Sequence, residues 1–439
     1  MKRYAVVGTG SRVVMFLDPI ATTYREEARI VGFCDPSATR MRFHRDRLVR
    51  KFSHPDIPLY AVEDFDRMIA EVKPDSLIVC SIDATHHDYI LRGLAAGCEV
   101  ICEKPITTDA AKCRMLLAAL PDNSRSVRIS LNYRWVPGVT KVYELLRSGV
   151  IGKVQQINYE YLLDTSHGAD YFRRWHASME QSGGLLVHKS THHFDLVNWW
   201  LDSLPTDVMA SARLAFYGRE NAIRRGQEPL TRYERYTGLA GPEDPFRLDL
   251  AADEQMKKLY LEAECDNGYL RDKNVFSEGI DIYDAMSVIV NYRCGAILNY
   301  SLNAFSPYEG FRVSFAGDRG RLEYEEIHNT TLAPADGAAA PLPKPGKRLR
   351  IFPHFQSGYE MEVEEMAGGH GGGDVLIQQQ MFAAEPPIDP WNRGAGPRQA
   401  IASAIIGIAA NISIQEGRKV PIRELIELAP QADSLREIW

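Results

Sequence analysis

The densest set of titratable side chains lies in one run, Gly183-Gly184-Leu185-Leu186-Val187-His188-Lys189-Ser190-Thr191-His192-His193-Phe194-Asp195-Leu196-Val197-Asn198-Trp199-Trp200. Read as a helix, it puts His188, His192, Asp195 and Trp199 at offsets 0, 4, 7 and 11, on one face. His193, Leu196 and Trp200 form the neighbouring face and pack inward. Three titratable groups on one stripe are costly to bury without a use. An imidazole with an ordinary pKa of ~6.5 accepts a proton at neutral pH, so the stripe suits general acid–base chemistry. Two other uses compete. Such histidines can be satisfied core or capping residues. His at i and i+4 is also metal-ligand spacing, but the acidic motif of the zinc proteases is missing, and no metal is expected.

A second reactive group is Lys104, in Glu103-Lys104-Pro105 after a hydrophobic block. Strand ends of parallel sheets deliver residues to a cofactor crevice there, although a plain surface cation fits the same spot. Pro105 is a candidate for a cis bond. Upstream, a first strand runs into Gly8-Thr9-Gly10-Ser11-Arg12-Val13. Gly8 and Gly10 permit a tight turn and close approach of a pyrophosphate, and Ser11 and Arg12 open the following helix. Val13 stands where the fingerprint has its third glycine. Asp35, 27 positions after Gly8, ends the second strand and can accept both ribose hydroxyls; it would repel a 2′-phosphate, which favours NAD over NADP. A helix N-cap is the competing use, since Asp35-Pro36-Ser37 is good capping chemistry.

These groups need a scaffold that brings them together. Strand-like runs at Tyr4–Gly8, Arg29–Cys34, Ser76–Ser81, Glu99–Glu103 and Arg128–Tyr133 alternate with amphipathic stretches such as Phe65–Val72 and Tyr89–Gly97. Their continuous Val, Ile, Leu and Cys content predicts strands buried on both faces of a parallel sheet. The fold class is therefore α/β, with a doubly wound Rossmann domain at 1–127. Beyond it, Gly152–Leu163, Ser287–Tyr292, Ala296–Asn303, Arg312–Ala316 and Arg321–Tyr324 alternate, as in an open, mostly antiparallel sheet within an α+β domain at 128–396. Two polar stretches, near 217–268 and 329–369, read as insertions or lids. In the tail, 397–439, Ile401, Ile405, Ile408 and Ile412 recur at helical intervals and predict a buried helix.

The 439 residues carry 58 acidic against 51 basic side chains, a net charge of −7. That balance argues against a nucleic-acid binder. No apolar run approaches the ~18 residues of a membrane span, and the N-terminal run is too short for a signal-peptide core. A cytoplasmic setting is expected. The seven cysteines, among them Cys98 and Cys102, lack a second pair to complete a zinc site and read as buried thiols.

The order of Gly8-Thr9-Gly10, Asp35, Ser81-Ile82-Asp83-Ala84-Thr85-His86, Glu103-Lys104-Pro105, Asn132-Tyr133-Arg134-Trp135-Val136-Pro137, Gly149-Val150-Ile151-Gly152-Lys153-Val154 and the His-rich segment ending at Asp195 resembles the Gfo/Idh/MocA family. The resemblance implies cofactor contacts from Ser81, His86 and Glu103, with Ser81-Ile82 standing where the family usually has Thr-Pro. His192 falls on the family's catalytic His and Asp195 on a substrate-contacting Asp. His188 replaces the family's first Asp, so Lys–Asp–His becomes Lys104–His188–His192. The resemblance also implies a terminal helix packed back on the nucleotide domain, and a homodimer or homotetramer joined through the open sheet.

The expected activity is NAD-dependent oxidation of a secondary hydroxyl of a sugar, polyol or glycoside. His192 takes the proton, Lys104 stabilises the developing alkoxide, and His188 orients or relays. Polyol recognition needs many directional groups. Arg134, Trp135, Trp175, Asp195 and His370 are the candidates, with Tyr161, His167, Arg174 and His176 nearby. Core packing competes for the tryptophans, and a flexible hinge competes for the His370 loop, whose glycines free the backbone. A redox-neutral glycosidase with retained NAD, working by transient oxidation with C3 as the expected site, is the alternative. A non-catalytic NAD sensor would not need the Lys104 and His192 set.

Overall fold

The computed structural model describes residues 1–120, 126–239, 244–330 and 343–439. Six strands, β1 (Lys2–Val7), β2 (Ala28–Cys34), β3 (Leu59–Tyr60), β4 (Ser76–Val79), β5 (Glu99–Cys102) and β6 (Val127–Ile129), pair in parallel in the order β3-β2-β1-β4-β5-β6. This is the doubly wound sheet the sequence predicts. The strand order reverses between β1 and β4, and the crevice at that switch point is where such sheets bind ligands. Local chemistry starts the helices. Ser37 Oγ caps the helix Ala38–Phe52 by accepting the Arg40 amide, and Asp109 caps Ala110–Ala119 by accepting the Lys112 amide.

A nine-stranded sheet follows, built from β7 (Val154–Asp164), β8 (Pro205–Arg213), β9 (Ala285–Tyr292), β10 (Ile297–Ser306), β11 (Tyr308–Gly317), β12 (Gly320–Thr330), β13 (Gly346–Pro353), β14 (Tyr359–Met361) and β15 (Val420–Pro421). It runs β14-β13-β12-β11-β7-β10-β9-β8-β15, with β7 and β10 parallel and the other pairs antiparallel. Alternation sets its two faces. Val288, Val290, Leu298, Tyr300, Val313 and Phe315 are buried beneath helices, while Met209, Ile289 and Ile297 are exposed on the open face.

Four expectations change. The strand expected over Arg128–Tyr133 stops at Ile129, and Asn132–Trp135 is a 3₁₀ turn leading into the helix Pro137–Ser148. The stretch expected as a lid at 329–369 is largely sheet edge: where described, it contains β13 and β14. Its Lys347, Arg348 and Arg350 disguise a strand whose only fully buried side chains are Leu349 and Ile351, paired with β12 on one side and the short β14 on the other. The part at 331–342 lies outside the described residues. The C-terminal helix Pro397–Glu416 lies mainly against the second domain. It also reaches the first domain, where Arg398 donates to the Leu120 carbonyl and, past the helix, Leu425 accepts from Arg114. Among the cysteines, Cys265 is exposed rather than buried.

The run carrying the histidines is two helices, Gly184–His188 and Ser190–Leu201, stepping at Lys189. Gly407 of the C-terminal helix sits against the first of them: a Cβ there would fall 2.1 Å from the Leu186 carbonyl oxygen. That close crossing sets the height of His188. Gly407→Ala is expected to cost roughly 1–3 kcal/mol through overpacking and to lower the urea midpoint. An unchanged midpoint would show that the helices can separate freely.

Candidate active site

The glycine turn is built for close packing. Gly8 has φ +85°, and a Cβ on it would lie 2.4 Å from the Cys80 carbonyl carbon and oxygen at the end of β4. At Gly10, by contrast, the space where a Cβ would stand is open, the nearest atom being the Tyr260 hydroxyl at 3.7 Å. Asp35 ends β2 and is 4% exposed; its Oδ2 accepts the Thr9 amide at 2.6 Å, and its Oδ1 accepts the Ser37 amide at 2.7 Å and the Arg40 guanidinium at 3.0 Å. A carboxylate has ~4 acceptor positions, so Oδ2 retains capacity for a ribose hydroxyl. The close-packed glycine turn, the open space at Gly10 and the carboxylate after β2 together fit a dinucleotide.

Arg12 leaves this turn and donates to Glu103 at 2.7 Å, with its other end 3.8 Å from Asp374. It clasps the glycine turn to the Lys104 strand end and to the loop bearing His370. Ser81 accepts the Thr85 hydroxyl at 2.8 Å. Both nitrogens of His86 face carbonyl oxygens, Pro105 at 2.7 Å and Ser81 at 3.1 Å. Burial lowers the His86 pKa, so a neutral ring with one N–H can donate to only one of the two. His86 thus ties the cis Lys104-Pro105 peptide to the β4 loop.

Lys104 is the centre. Its ammonium donates to the His188 carbonyl at 3.0 Å and faces His188 Nε2 at 3.5 Å. Burial brings its pKa down to about 8, while Asp83 and Glu103 hold it up. On its other side, His188 Nδ1 meets Asp83 Oδ2 at 2.5 Å. Burial drives His188 well below its usual value and the Asp83 carboxyl well above its own. The Lys104 ammonium carries only donors and opposes the protonation of Asp83, so Nε2 faces it as a lone pair and Nδ1–H donates to the Asp83 carboxylate. The carboxylate that the resemblance places at position 188 is supplied instead by Asp83, at one imidazole's remove.

His192 follows one turn later, buried, with Nδ1 unpartnered and its ring 4.6 Å from that of Tyr133. Burial and two lysines, Lys104 and Lys189, hold it well below its ordinary range, so it is a neutral base. Tyr133 leads into a cavity of about 580 Å³, lined by His167, Lys189, Glu309, His328 and His370 among others. The Lys189 ammonium lies over the rings of Tyr161 at 4.9 Å and Tyr133 at 5.7 Å. His328 resists burial because Glu309 and Glu326 raise it to about 10. His370 sits at φ +49° among glycines, its Nδ1 3.0 Å from Asp374, with its ring 5.6 Å from Tyr133. The glycine run thus swings an imidazole to the cavity. Trp175 is stacked at 3.7 Å on His176, which meets His188 edge-on at 4.2 Å.

Three residues expected at the substrate are elsewhere. Arg134 and Asp195 form a bidentate pair at 2.7 and 2.6 Å, with side chains 0% and 2% exposed, and Arg134 also donates to Gln399 at 2.9 Å. They lock the 132–135 turn, the histidine helix and the C-terminal helix together. Trp135 is buried beneath the Arg393 guanidinium, 4.2 Å from its ring. The helical stripe thus splits: His188 lies against Lys104 and His192 against Tyr133, while Asp195 and Trp199 are buried in the core. Sequence reading passed over Asp83, Lys189, Glu309 and His328. Asp83 was signalled by a carboxylate just past a parallel strand end, and Lys189 by a cation inside the histidine run. Glu309 and His328 gave no local signal.

Asp195→Ala leaves the Arg134 cation buried and unpaired. It is expected to cost about 3–5 kcal/mol of stability, read by urea unfolding. Wild-type stability with a selectively raised KM would return Asp195 to the substrate.

Comparison with known proteins agrees with this geometry. Residues 2–131 match the NAD-binding Rossmann fold, and residues 143–422 the C-terminal alpha/beta domain, of one oxidoreductase family. YteT of Bacillus subtilis strain 168, which carries an oxidoreductase name, is 32% identical over 98% of this chain and 99% of its own. The inositol 2-dehydrogenase of Rhizobium meliloti strain 1021 is 29% identical over 34% of this chain and 44% of its own. The WlbA dehydrogenase of Bordetella pertussis, solved with NADH and UDP-GlcNAcA, shares the fold with a TM-score of 0.59 at 14% identity, over 96% of this chain and 97% of that one. With both halves matched in order, the chain belongs to the Gfo/Idh/MocA oxidoreductase family.

Proposed function

We propose that this protein is an NAD-dependent dehydrogenase acting on a secondary hydroxyl of a sugar, polyol or glycoside. The observation that carries the reading is the Asp83–His188–Lys104 chain at the cofactor crevice, with neutral His192 one helical turn away. NAD⁺, when bound, supplies the hydride acceptor. The protein's own groups do the rest. His192 takes the hydroxyl proton, because its lone pair is free at neutral pH. Lys104, protonated, donates to the same oxygen and stabilises the charge that develops there, in a site where burial strengthens the interaction. His188 and Asp83 hold the ammonium in place from behind. Trp175, His370 and the polar lining of the cavity supply directional contacts for hydroxyls.

Two features support the remaining expectations. All seven cysteines are free of disulfides, which favours a cytoplasmic setting. The open face of the nine-stranded sheet carries a depression of about 680 Å³ with Met209 and Ile289 at its wall, which supports a homo-oligomer formed there.

Lys104→Met and His192→Ala are expected to lose about 10²- to 10⁴-fold in turnover without loss of fold. Their substrate is found by incubating the protein with NAD⁺, sugars, polyols and chromogenic glycosides while following nicotinamide reduction at 340 nm and aglycone release together. Sustained reduction supports the reading. Aglycone release that needs NAD⁺ but yields no net reduction overturns it in favour of redox-neutral hydrolysis.

The pH profile follows from the same charges. Lys104 must be protonated to act, so kcat/KM falls as pH rises through about 8. Asp83 holds that pKa up, so Asp83→Asn should move this alkaline limb down by about one unit. A limb that stays in place would show that Asp83 does not act on Lys104.

A further inference from the structure

The segment between β8 and β9 reaches across the crevice to the first domain, and it touches both turns that a dinucleotide uses. At the glycine turn, the Tyr260 hydroxyl accepts the Ser11 amide at 2.9 Å and donates to the Ser11 hydroxyl at 3.0 Å. Tyr260 is 7% exposed and lies within a π-helical turn, Lys257–Leu261. At the ribose turn, Asp266 Oδ2 accepts the Ser37 hydroxyl at 2.5 Å and the Thr39 amide at 2.9 Å. Between these anchors, Leu259 is fully buried and packs with Leu250 and Tyr260 against Phe43 of the helix Ala38–Phe52. The base is tied down as well. Arg235 bridges Glu264 at 2.6 Å and Asp272 at 2.8 Å, and Arg271 lies 5.6 Å over the Tyr260 ring while it pairs with Asp170 at 2.7 Å.

The ribose turn holds the donors a 2′-phosphate would need: the Ser37 hydroxyl, the Thr39 amide and the Arg40 guanidinium. Each is already committed to a carboxylate, Ser37 and Thr39 to Asp266 and Arg40 to Asp35. A phosphate there would meet two negative charges, with the Ser37 hydroxyl and the Thr39 amide already taken by Asp266. A 2′-hydroxyl, in contrast, only needs an acceptor.

We propose that residues 254–269 form a cofactor strap in which Asp266 excludes NADP at the ribose turn and Tyr260 closes the pyrophosphate turn, so that the cofactor leaves only when the strap lifts. The inference rests on the NAD reading above. Its test needs no substrate, and so separates the two.

The full-length protein, freed of cofactor, is titrated with NAD⁺ and NADP⁺ by calorimetry, and NADH release is timed by fluorescence. The wild type is expected to bind NAD⁺ at least ~100-fold more tightly than NADP⁺, as befits a like-charge clash. Asp266→Asn should narrow that ratio about tenfold through tighter NADP⁺ binding, with Asp266→Glu retaining it. Tyr260→Phe, which removes both hydrogen bonds to Ser11, should speed NADH release about tenfold. A wild-type preference for NADP⁺, an unchanged ratio in Asp266→Asn, or an unchanged release rate in Tyr260→Phe overturns the proposal. Failure of the wild type to bind either dinucleotide would overturn the cofactor reading itself. The three variants are compared with the wild type by thermal unfolding, so that a loss of binding is not mistaken for a loss of fold.

Discussion

A lysine ammonium partly withdrawn from water is the constraint around which this site is built. Lys104 is half-buried at the end of a parallel strand, where the surrounding protein replaces part of its hydration shell. Three groups answer that cost: the His188 carbonyl, the His188 ring and, through the ring, Asp83. Each must be held at a set height, because hydrogen bonds weaken steeply with distance and angle. The height of His188 depends on the helix crossing at Gly407, and the position of Lys104 on the peptide that His86 ties to the β4 loop. Second-domain packing and first-domain loop chemistry therefore meet in one ammonium.

The same logic explains why ionic contacts elsewhere are placed as they are. Arg12 joins the glycine turn to Glu103 and to Asp374, coupling the cofactor crevice to the loop that carries His370. Arg134 and Asp195 do different work, deep in the interior, where a bidentate pair specifies how three elements dock. Both arginines come from motifs that resemble ligand-binding sequences. Only burial separates the one beside the crevice from the one in the core.

The histidine positions show how a charge can be moved without being lost. A carboxylate at position 188 would stand directly against Lys104. Here an imidazole stands there, and the carboxylate is relocated to Asp83 behind it. The carboxylate then acts on the ammonium through the polarisable ring rather than by direct contact. The cavity beside His192 is arranged along similar lines. Glu309 and Glu326 are answered by His167, His328 and Lys347, while Lys189 rests on aromatic faces.

Much of this was legible in the chain itself. Strands buried on both faces have to be continuously apolar, so the parallel sheet and its glycine turn could be read from local composition. The amphipathic stretch Phe65–Val72 is found as a helix at those same residues. Spacing alone placed His188 and His192 on one face, and that face does bring His188 to Lys104 and His192 to Tyr133. Spacing could not show that the same face, two turns on, dives into the core with Asp195 and Trp199. Helical periodicity fixes direction around an axis and says nothing about what lies opposite each residue. It could not reveal β13, because its charged side chains leave only Leu349 and Ile351 as buried apolar positions. Nor could it reveal that Asp83, Tyr260 and Asp266 meet His188, Ser11 and Ser37, across 105, 249 and 229 positions of chain. Local propensity determined the elements and the residue types available for chemistry. Which charges became a site, a strut or a strap was decided by tertiary packing, because hydrogen bonds and ion pairs act over a few ångströms, and only the fold brings distant residues that close.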